Sequence, residues 1–400
     1  MNDIILPADA AFIIDSLRKN GFEVHIVGGC VRDAIMGIIP HDYDITTSAM
    51  PEDVKKIFPH TFDTGIKHGT VTVVLNKTNY EVTTFRVDGA YEDCRHPKDV
   101  SFTKDIHEDL LRRDFTMNAI AYNPYDGYTD IFGGADDIKN KIIRGVGEPE
   151  ERFREDALRM LRAVRFSAQL GFDIEEKTYK ALVENANLIK NISPERIREE
   201  LTKLLLSKYV ERLPILWQSG LLKYISCDLY ESVLKNEETV VKDIKNCVKN
   251  VPALFSLLTR FVPDIKKELS KYRFDNKTLK EILALNEAMN REALNNEYDV
   301  RVMCCKMGPE TARLFYKIKQ AMGQNEAFDA EETFDKVMDR GDCVSLKNLA
   351  ISGKDLAGIG FKQGKEMGET LNYLLHEVLK TPSLNKREIL IDMAIEKSKK

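Results

Sequence analysis

The sequence predicts an α+β protein in which a small β-sheet near the N-terminus is followed by a long all-helical remainder. Apolar and polar residues alternate over residues 22–26, which is typical of a strand, and Gly28-Gly29 then leads into a helix. Residues 70–75 are rich in β-branched side chains, and a turn at 76–79 returns the chain as a hairpin. Past Gly147, nearly every segment has apolar residues at helical spacing.

The composition is ordinary for a globular protein, with 43% hydrophobic residues in a chain of 400, and we expect two to four domains. The sequence contains neither a long apolar run nor a basic-then-apolar leader, so we expect no membrane insertion and a cytoplasmic location. The seven cysteines lack paired C-x-x-C spacing, which argues against a disulfide framework and against structural zinc. With a net charge of -5, a nucleic-acid partner would need local basic patches.

Two carboxylates, Asp42 and Asp44, are predicted to lie on one strand and to project from the same face, because side chains alternate along a strand. Adjacent carboxylates repel unless a cation lies between them. Mg²⁺ prefers oxygen ligands and a site shared between a few carboxylates and substrate phosphates. The pair therefore indicates phosphoryl-group chemistry. Glu81 on the returning strand is a possible third carboxylate, and a solvated strand glutamate is the alternative.

Basic and polar residues follow two turns. Gly28-Gly29 lets the backbone approach a ligand closely, and the helix that follows offers free N–H groups to an anion such as a phosphate. Arg32 could reach the same phosphate. A plain tight turn is the alternative. Residues 111–121 are predicted to enter an apolar helix. Arg113 and Asp114 lie at its start, where they could meet phosphate or ribose oxygens, and helix-capping ion pairs are the alternative.

Residues 153–166 are predicted to form one continuous helix with an apolar side and a charged side. On such a helix Asp156 and Arg159, three residues apart, are neighbours. Arg162 and Arg165 continue the row that begins with Arg159, so this face has more arginines than the few neighbouring acidic residues can pair with. An exposed helix with ordinary ion pairs is the alternative, each pair contributing only about 0.2 to 0.5 kcal/mol.

Five motifs occur in a fixed order, and together they resemble the class II tRNA nucleotidyltransferase and poly(A) polymerase family. They are Gly-Gly-Cys-Val-Arg-Asp (28–33), Asp-Tyr-Asp (42–44), Arg-Arg-Asp-Phe-Thr-Met-Asn-Ala (112–119), Asp-Ile-Phe-Gly-Gly-Ala-Asp-Asp-Ile (130–138) and Glu-Asp-Ala-Leu-Arg (155–159). The resemblance covers about the first half of the chain, and the tail segment 351–356 is similar to that of bacterial CCA-adding members.

The resemblance implies a polymerase β-like nucleotidyltransferase head with a small β-sheet, followed by an all-helical neck, body and tail. We assign the catalytic head to residues 1–137, the base-recognising neck to 138–205, the body to 206–290 and the tRNA-binding tail to 291–400. Gly133-Gly134 then lies near the exit from the head, as a possible hinge.

The resemblance also assigns roles to individual residues. It casts Asp42 and Asp44 as metal ligands, with Glu81 completing a catalytic acidic cluster around Mg²⁺. One group of nucleotide-binding residues serves the triphosphate and sugar, and a second group, led by Asp156 and Arg159, serves the base. The two groups are Gly29, Arg32, Arg113, Asp114 and Asn118, and Asp156, Arg159, Arg162 and Arg165.

The activity implied is addition of the 3′-terminal CCA sequence to tRNA from CTP and ATP, with release of pyrophosphate, by two-metal nucleotidyl transfer. No protein partner is implied. Addition of A only or of CC only, poly(A) synthesis and a non-catalytic RNA-binding role are the alternatives. Residues 64–70 resemble the CCA-adding type, and the loop at 88–97 resembles one needed for switching from C to A, which argues against CC-only addition. The presence of Asp42, Asp44, Asp156 and Arg159 argues against a non-catalytic relative.

The chemistry of the bases supports one of these roles independently. Cytosine and adenine both present an amino donor beside a ring-nitrogen acceptor on their Watson–Crick edges, whereas uracil and guanine present a carbonyl beside an N–H. An aspartate next to an arginine complements cytosine and adenine, because the carboxylate accepts from the amino group and the guanidinium donates to the ring nitrogen. Asp156 with Arg159 would therefore accept C and A and refuse U and G without a nucleic-acid template.

Overall fold

The computed structural model describes residues 3–89, 100–291 and 296–398. The chain divides into two compact units, Met1–Glu231 and Ser232–Lys400. The described part of the second unit is helical and carries no strand. Among the described helices none is long and apolar enough to cross a membrane. The finer division into head, neck, body and tail stays a prediction.

The strands lie in the first unit. They are β1 (Val24–Val27), β2 (Asp44–Thr47), β3 (Thr61–Gly65), β4 (Thr70–Leu75), β5 (Thr78–Thr84), β6 (Arg86–Asp88), β7 (Val100–Phe102), β8 (Ile120–Asn123), β9 (Gly127–Asp130), β10 (Ile142–Ile143) and β11 (Asp173–Ile174).

The helices continue through both units. They are α1 (Ala8–Lys19), α2 (Gly29–Ile35), α3 (Pro51–Ile57), α4 (Ile106–Leu111), α5 (Gly134–Asn140), α6 (Pro149–Glu155), α7 (Leu158–Leu170), α8 (Glu176–Asn185), α9 (Pro194–Leu205), α10 (Pro214–Gln218), α11 (Leu221–Ile225), α12 (Cys227–Leu234), α13 (Glu237–Asn246), α14 (Val251–Thr259), α15 (Ile265–Ser270), α16 (Asn276–Ala288), α17 (Glu297–Met307), α18 (Pro309–Ala321), α19 (Glu326–Asp339), α20 (Gly353–Gly358), α21 (Lys365–Lys380) and α22 (Arg387–Ser398).

One mixed sheet organises the N-terminal part, and it confirms the predicted α+β class. Its strand order is β3-β4-β5-β2-β1-β8-β9, in which β2 and β5 are parallel and the other neighbours are antiparallel. The predicted hairpin joins β4 to β5, and its turn residues Asn76 and Lys77 both have positive φ. Two such residues are what a tight two-residue hairpin requires.

The sheet face that carries Asp44 is backed by α4. Val27 on β1 pairs with Asp44 on β2, so the two side chains share a face. Val27 packs in a buried cluster with Phe85 and with Ile106 and Leu110 of α4. The residues that directly follow α4 are therefore held close to the end of β2 where Asp44 lies.

The prediction of an apolar helix over residues 111–121 is wrong. α4 ends at Leu111, residues Thr116–Asn118 form a single 3₁₀ turn, and the apolar run continues as strand β8. All four residues of β8 are buried. A strand buried on both faces lacks apolar–polar alternation, so its sequence cannot be told from a buried helix by periodicity.

The predicted continuous helix over 153–166 is interrupted. α6 ends at Glu155, Asp156 has extended backbone (φ -137°, ψ 102°), and α7 begins at Leu158. The Asp156 carboxylate accepts a hydrogen bond from the Leu158 N–H at 3.1 Å. A short acidic side chain that bonds to the backbone in this way starts a helix more readily than it continues one.

The glycines at 133 and 134 form a tightly packed helix start, and the hinge expected there stays a prediction. Gly133 is the N-cap of α5 with φ +71°. Gly134 follows it, and a Cβ placed there would lie 2.2 Å from the Thr116 carbonyl oxygen. Only a residue without a side chain lets α5 pack this closely against the turn at 116–118.

Replacing Gly134 by alanine should therefore destabilise the first unit by about 1 to 3 kcal/mol or more, because the methyl group must displace backbone. Chemical denaturation measures the loss. Gly368→Ala in α21 is the control, since apart from the backbone of its own helix and its chain neighbours no atom lies within 4 Å of its Cβ position, and a helical alanine is favoured over glycine. Equal effects of the two substitutions would contradict the packing account.

Candidate functional site

The acidic pair lies where the chain enters β2. Asp44 is the first residue of the strand, and Asp42 precedes it in an irregular segment, so the prediction that both are strand residues is half correct. The alternation nevertheless begins at Asp42. Asp42 and Asp44 are exposed, whereas Tyr43 and Ile45 are buried. Both carboxylates are therefore available to a ligand at this end of β2.

The immediate surroundings of Asp44 combine a glycine turn and an arginine. A Cβ at Gly28 would lie 3.3 Å from Nη1 of Arg113 and 3.9 Å from Oδ2 of Asp44, so glycine leaves open the space between these groups. The protein around Asp44 raises the pKa of its carboxyl group by desolvation, and the nearby Asp42 charge raises it further, while Arg113 opposes both effects. Solvent still reaches the carboxylate.

Glu81 occupies the corresponding place on the neighbouring strand. Ile45 pairs with Val82 in the parallel ladder between β2 and β5, so Asp44 and Glu81, each one residue earlier, leave the sheet on the same face. Within the ranges 3–89, 100–291 and 296–398, however, no three His, Cys, Asp or Glu side chains group closely enough to hold a metal ion. The role of Glu81 as a third acid stays a prediction.

A chain of hydrogen bonds joins the glycine turn to α7. Nη1 of Arg32 donates to Oδ1 of Asn118 at 2.8 Å, and Nδ2 of Asn118 donates to Oδ1 of Asp114 at 3.1 Å. Nε and Nη2 of Arg162 then donate to Oδ2 of Asp114 at 2.8 and 2.6 Å. Four predicted nucleotide-binding residues from three separate elements thus form one connected network.

Asp114 is the central member of this network. Its Oδ1 also accepts a hydrogen bond from the N–H of Phe115 at 2.8 Å, so each carboxylate oxygen has two donors. Burial by itself raises the pKa of Asp114, but the charge of Arg162 and the hydrogen bonds of Asn118 and Arg162 outweigh it and lower the pKa to about 2. Asp114 is therefore a fixed negative charge at neutral pH.

The side chains of Asp156 and Arg159, the pair expected to read the base, do not bond to each other. Each bonds to a different partner. Nη2 and Nη1 of Arg196, on α9, donate to the two oxygens of Asp156 at 2.8 and 3.3 Å. Nη1 of Arg159 donates to Oε2 of Glu155 at 2.6 Å, and its Nη2 donates to the carbonyl oxygen of Arg112 at 2.6 Å. Each side chain is thus held in place by groups outside the pair.

Five of the predicted nucleotide-binding residues line one cleft of about 240 Å³. They are Arg113, Asp114, Asp156, Arg159 and Arg162. Arg165 does not line it. It is 8% exposed, forms a 2.6 Å ion pair with Glu200, and lies 3.9 Å from the ring centre of Phe166. Its predicted contact with the nucleotide would be indirect in this arrangement.

Sequence reasoning missed several residues of this region. Arg112, Leu158 and Arg196 line the cleft, and Asp109 is wholly buried beneath it. Asp109 precedes Arg112 and Arg113 by three and four residues, the spacing at which helical side chains meet, so that signal was available. Arg196 lies 40 residues after Asp156, and no local pattern joins them.

A larger cavity of about 460 Å³ lies elsewhere in the first unit. Tyr43 lines it, and Tyr43 leaves the chain on the side opposite to Asp42 and Asp44. Isoleucines and alanine dominate the wall, with Asp3 as its charged residue, and no predicted site residue contributes. Cavity size therefore does not mark the site, whereas the convergence of charged groups does.

Comparisons with known proteins agree along the whole chain. Residues 24–144 match the family described as "Poly A polymerase head domain", residues 171–229 match "Probable RNA and SrmB-binding site of polymerase A", and residues 248–394 match "tRNA nucleotidyltransferase domain 2". A CCA-adding enzyme of Ligilactobacillus salivarius is 38% identical, with 96% of this chain and 94% of the relative covered. One of Enterococcus faecalis is 36% identical, with 96% and 95% covered.

The fold agrees with a solved structure as well. The crystal structure of the Bacillus stearothermophilus CCA-adding enzyme in complex with CTP is similar to this structure, with a TM-score of 0.84 and 34% sequence identity. The similarity covers 99% of this chain and 98% of the other.

The low pKa of Asp114 has a consequence for stability. Because the folded-state pKa of about 2 lies below the usual value of 3.8, the ionised group stabilises the fold above pH 4, and this contribution is lost as the pH falls from about 4 towards 2. Asp114→Asn should cost on the order of 2 kcal/mol at pH 7, and this difference should shrink over that window.

Thermal unfolding of both proteins between pH 7 and pH 2.5 tests the prediction. Asp63→Asn is the control, because the ion pair of Asp63 with Lys55 is exposed and should contribute little. A difference between wild type and Asp114→Asn that is independent of pH would contradict the assigned charge.

Proposed function

We propose, from the premise that the chain belongs to the CCA-adding enzyme family, that it adds the 3′-terminal CCA sequence to tRNA. The nucleotides would come from CTP and ATP, and pyrophosphate would leave. No nucleic-acid template is needed, because side chains of the enzyme select the base. The proposed tRNA substrate implies a cytoplasmic location.

The observation that carries this proposal is the shared cleft of Asp156 and Arg159. The carboxylate accepts hydrogen bonds and the guanidinium donates them, which is the complement of the Watson–Crick edges of cytosine and adenine. Uracil or guanine would leave both groups facing like partners, at a cost of about 1 to 3 kcal/mol for each unsatisfied contact. The partners Arg196, Glu155 and the Arg112 carbonyl hold the pair before a nucleotide arrives.

The acidic pair fits a hard divalent cation such as Mg²⁺. Asp42 and Asp44 are exposed on one side of the chain, and within the described part of the molecule neither has a cationic side chain at ion-pair distance. Two carboxylate oxygens supplemented by substrate phosphates are a typical Mg²⁺ ligand set. When bound, such ions lower the pKa of the attacking hydroxyl and stabilise the charge on the leaving pyrophosphate.

The remaining predicted residues would bind the phosphate groups of the nucleotide or orient the side chains that do so. Arg113 lies beside Asp44 and Gly28, where it can contact the phosphate groups, and Arg32 is held near the same turn by Asn118. Asp114 has no spare lone pair for a ribose hydroxyl, because its four hydrogen bonds occupy both oxygens. We therefore assign to Asp114 the orientation of Arg162 and Asn118.

The product length tests the reaction. Purified protein is incubated with tRNA lacking zero, one, two or three terminal nucleotides, with CTP, ATP, UTP and GTP offered singly and together. We expect extension to a complete CCA end and no further, and no extension by Asp42→Ala or Asp44→Ala although both still bind tRNA. Addition of A alone, of CC alone or of a long A tract would identify one of the alternative activities.

The loop at 88–97, on which the argument against CC-only addition rests, reaches into residues 90–99, which lie outside the described residues. The same assay decides that point, because a CC-only enzyme would stop one nucleotide short. Normal extension by Asp44→Ala would contradict the assignment of the acidic pair.

Arg159→Ala should relax the choice of base. Without the guanidinium, the ring-nitrogen acceptor of cytosine loses its donor and uracil no longer meets a like partner, so the ratio of kcat/KM for CTP to that for UTP should fall about tenfold or more. Single-nucleotide incorporation measures the ratio. Arg154→Ala, an exposed arginine on α6 paired with Glu150, is the control. An unchanged ratio in Arg159→Ala would contradict readout by this side chain.

A further inference from the structure

Asp109 is a wholly buried carboxylate in the last turn of α4. Its Oδ1 accepts hydrogen bonds from Nε and Nη2 of Arg112 at 3.0 and 2.7 Å, and its Oδ2 accepts one from Nη2 of Arg113 at 3.1 Å. The Thr46 hydroxyl and the Arg86 N–H approach the same carboxylate at 3.4 and 3.3 Å. One buried charge thus contacts two consecutive arginines and two strands.

The two arginines lead to different parts of the site. The guanidinium of Arg113 lies beside Asp44 and over Gly28, at the acidic pair. The carbonyl of Arg112 accepts the hydrogen bond from Nη2 of Arg159, which together with Asp156 forms the pair proposed to read the base, called the base-reading pair below. A displacement of residues 112–113 would therefore move a cation at the acidic pair and, at the same time, an acceptor that holds Arg159.

Thr46 ties this anchor to the strand that carries Asp44. It lies two residues after Asp44 on β2 and on the same sheet face, and the single proton of its hydroxyl is within reach of both the Thr83 carbonyl oxygen on β5 at 3.2 Å and the Asp109 carboxylate at 3.4 Å. The Asp109 carboxylate thus contacts β2, which carries Asp44, as well as Arg112, whose carbonyl holds Arg159.

We propose that Asp109 is a positioning residue that sets the acidic pair and the base-reading pair relative to each other, through Arg113 on one side and the Arg112 backbone on the other. The inference rests on the proposed nucleotidyl transfer. It predicts that a single buried substitution, which touches neither nucleotide nor RNA, lowers the rate of transfer and relaxes the choice of base together.

Asp109→Asn tests this, because asparagine has nearly the same shape but lacks the charge and places an N–H₂ group against a guanidinium. We expect kcat for CTP incorporation to fall by about tenfold or more, and the CTP-to-UTP ratio of kcat/KM to fall by a similar factor. The matched control is Asp137→Asn. Asp137 is also a buried carboxylate of the first unit, bonded to Arg144 and Thr116, but it does not line the cleft.

Asp137→Asn should lower the unfolding temperature without changing the CTP-to-UTP ratio. If Asp109→Asn behaves in the same way, or if its rate falls while its base selectivity is kept, the proposal is overturned. Wild-type activity is measured first, so a wild type that incorporates no nucleotide would refute the proposed function and be recognised as such.

A second variant covers the case in which Asp109→Asn does not fold. Arg112→Met removes the side chain held by Asp109 but keeps the backbone carbonyl that receives Arg159 and leaves Arg113 bonded to Asp109. We expect base selectivity to fall in this variant with a smaller effect on kcat. Unchanged selectivity would overturn the role of Asp109 in the base-reading pair.

Discussion

Every arginine of the site that has a defined partner is held by an acidic side chain of the protein. Arg113 bonds to Asp109, Arg162 to Asp114, and Arg159 to Glu155. Burial of such pairs costs desolvation that their attraction offsets only in good geometry, so they add little net stability. Removal of one partner, however, leaves an uncompensated charge, which costs about 3 to 5 kcal/mol in a fully buried pair and less in these partly exposed ones. The pairs therefore fix where each cation points.

The fixed positions of these arginines explain how one part of the site could carry out the transfer while another part selects the base. The acidic pair stands at the edge of the sheet with no protein cation paired to it in the described structure, and it is free to share a divalent ion with a nucleotide. Of the pair proposed to read the base, Asp156 lies in the break between α6 and α7, and Arg159 lies in the first turn of α7. Asp114 bonds to Asn118 and to Arg162 of α7, while Asp109 bonds to Arg113 beside Asp44 and to Arg112, whose carbonyl accepts a hydrogen bond from Arg159.

The parts of the fold that follow local rules could be predicted from the sequence. The alternation around Tyr43 gave the exposure of Asp42 and Asp44, and the β-branched run gave β4 and its hairpin. The sequence of β8 cannot be distinguished from that of a buried helix, because burial on both faces removes the alternation of apolar and polar residues. The break at Asp156 was missed because a side chain that bonds to the next backbone N–H leaves no mark in the apolar pattern.

The pairings of the candidate site residues could not be predicted from their spacing. Five predicted residues line one cleft, yet the partner of Asp156 is Arg196 on another helix, and not Arg159 three residues away. Spacing on a helix restricts only residues of that helix, whereas a partner 40 positions later is set by tertiary packing of α7 on α9. The sequence does not mark Asp109 as a site residue, because its proposed role is exerted through Arg112 and Arg113.

The central claim is that base selection does not depend on the acidic pair, and nucleotide binding by the Asp42→Ala/Asp44→Ala double variant tests it most directly. Titration calorimetry with CTP, ATP, UTP and GTP measures affinity when no transfer can occur. The account predicts that the double variant, like the wild type, binds CTP and ATP about tenfold or more tighter than UTP and GTP. Equal affinity for all four nucleotides in the variant, with selectivity retained in the wild type, would contradict it.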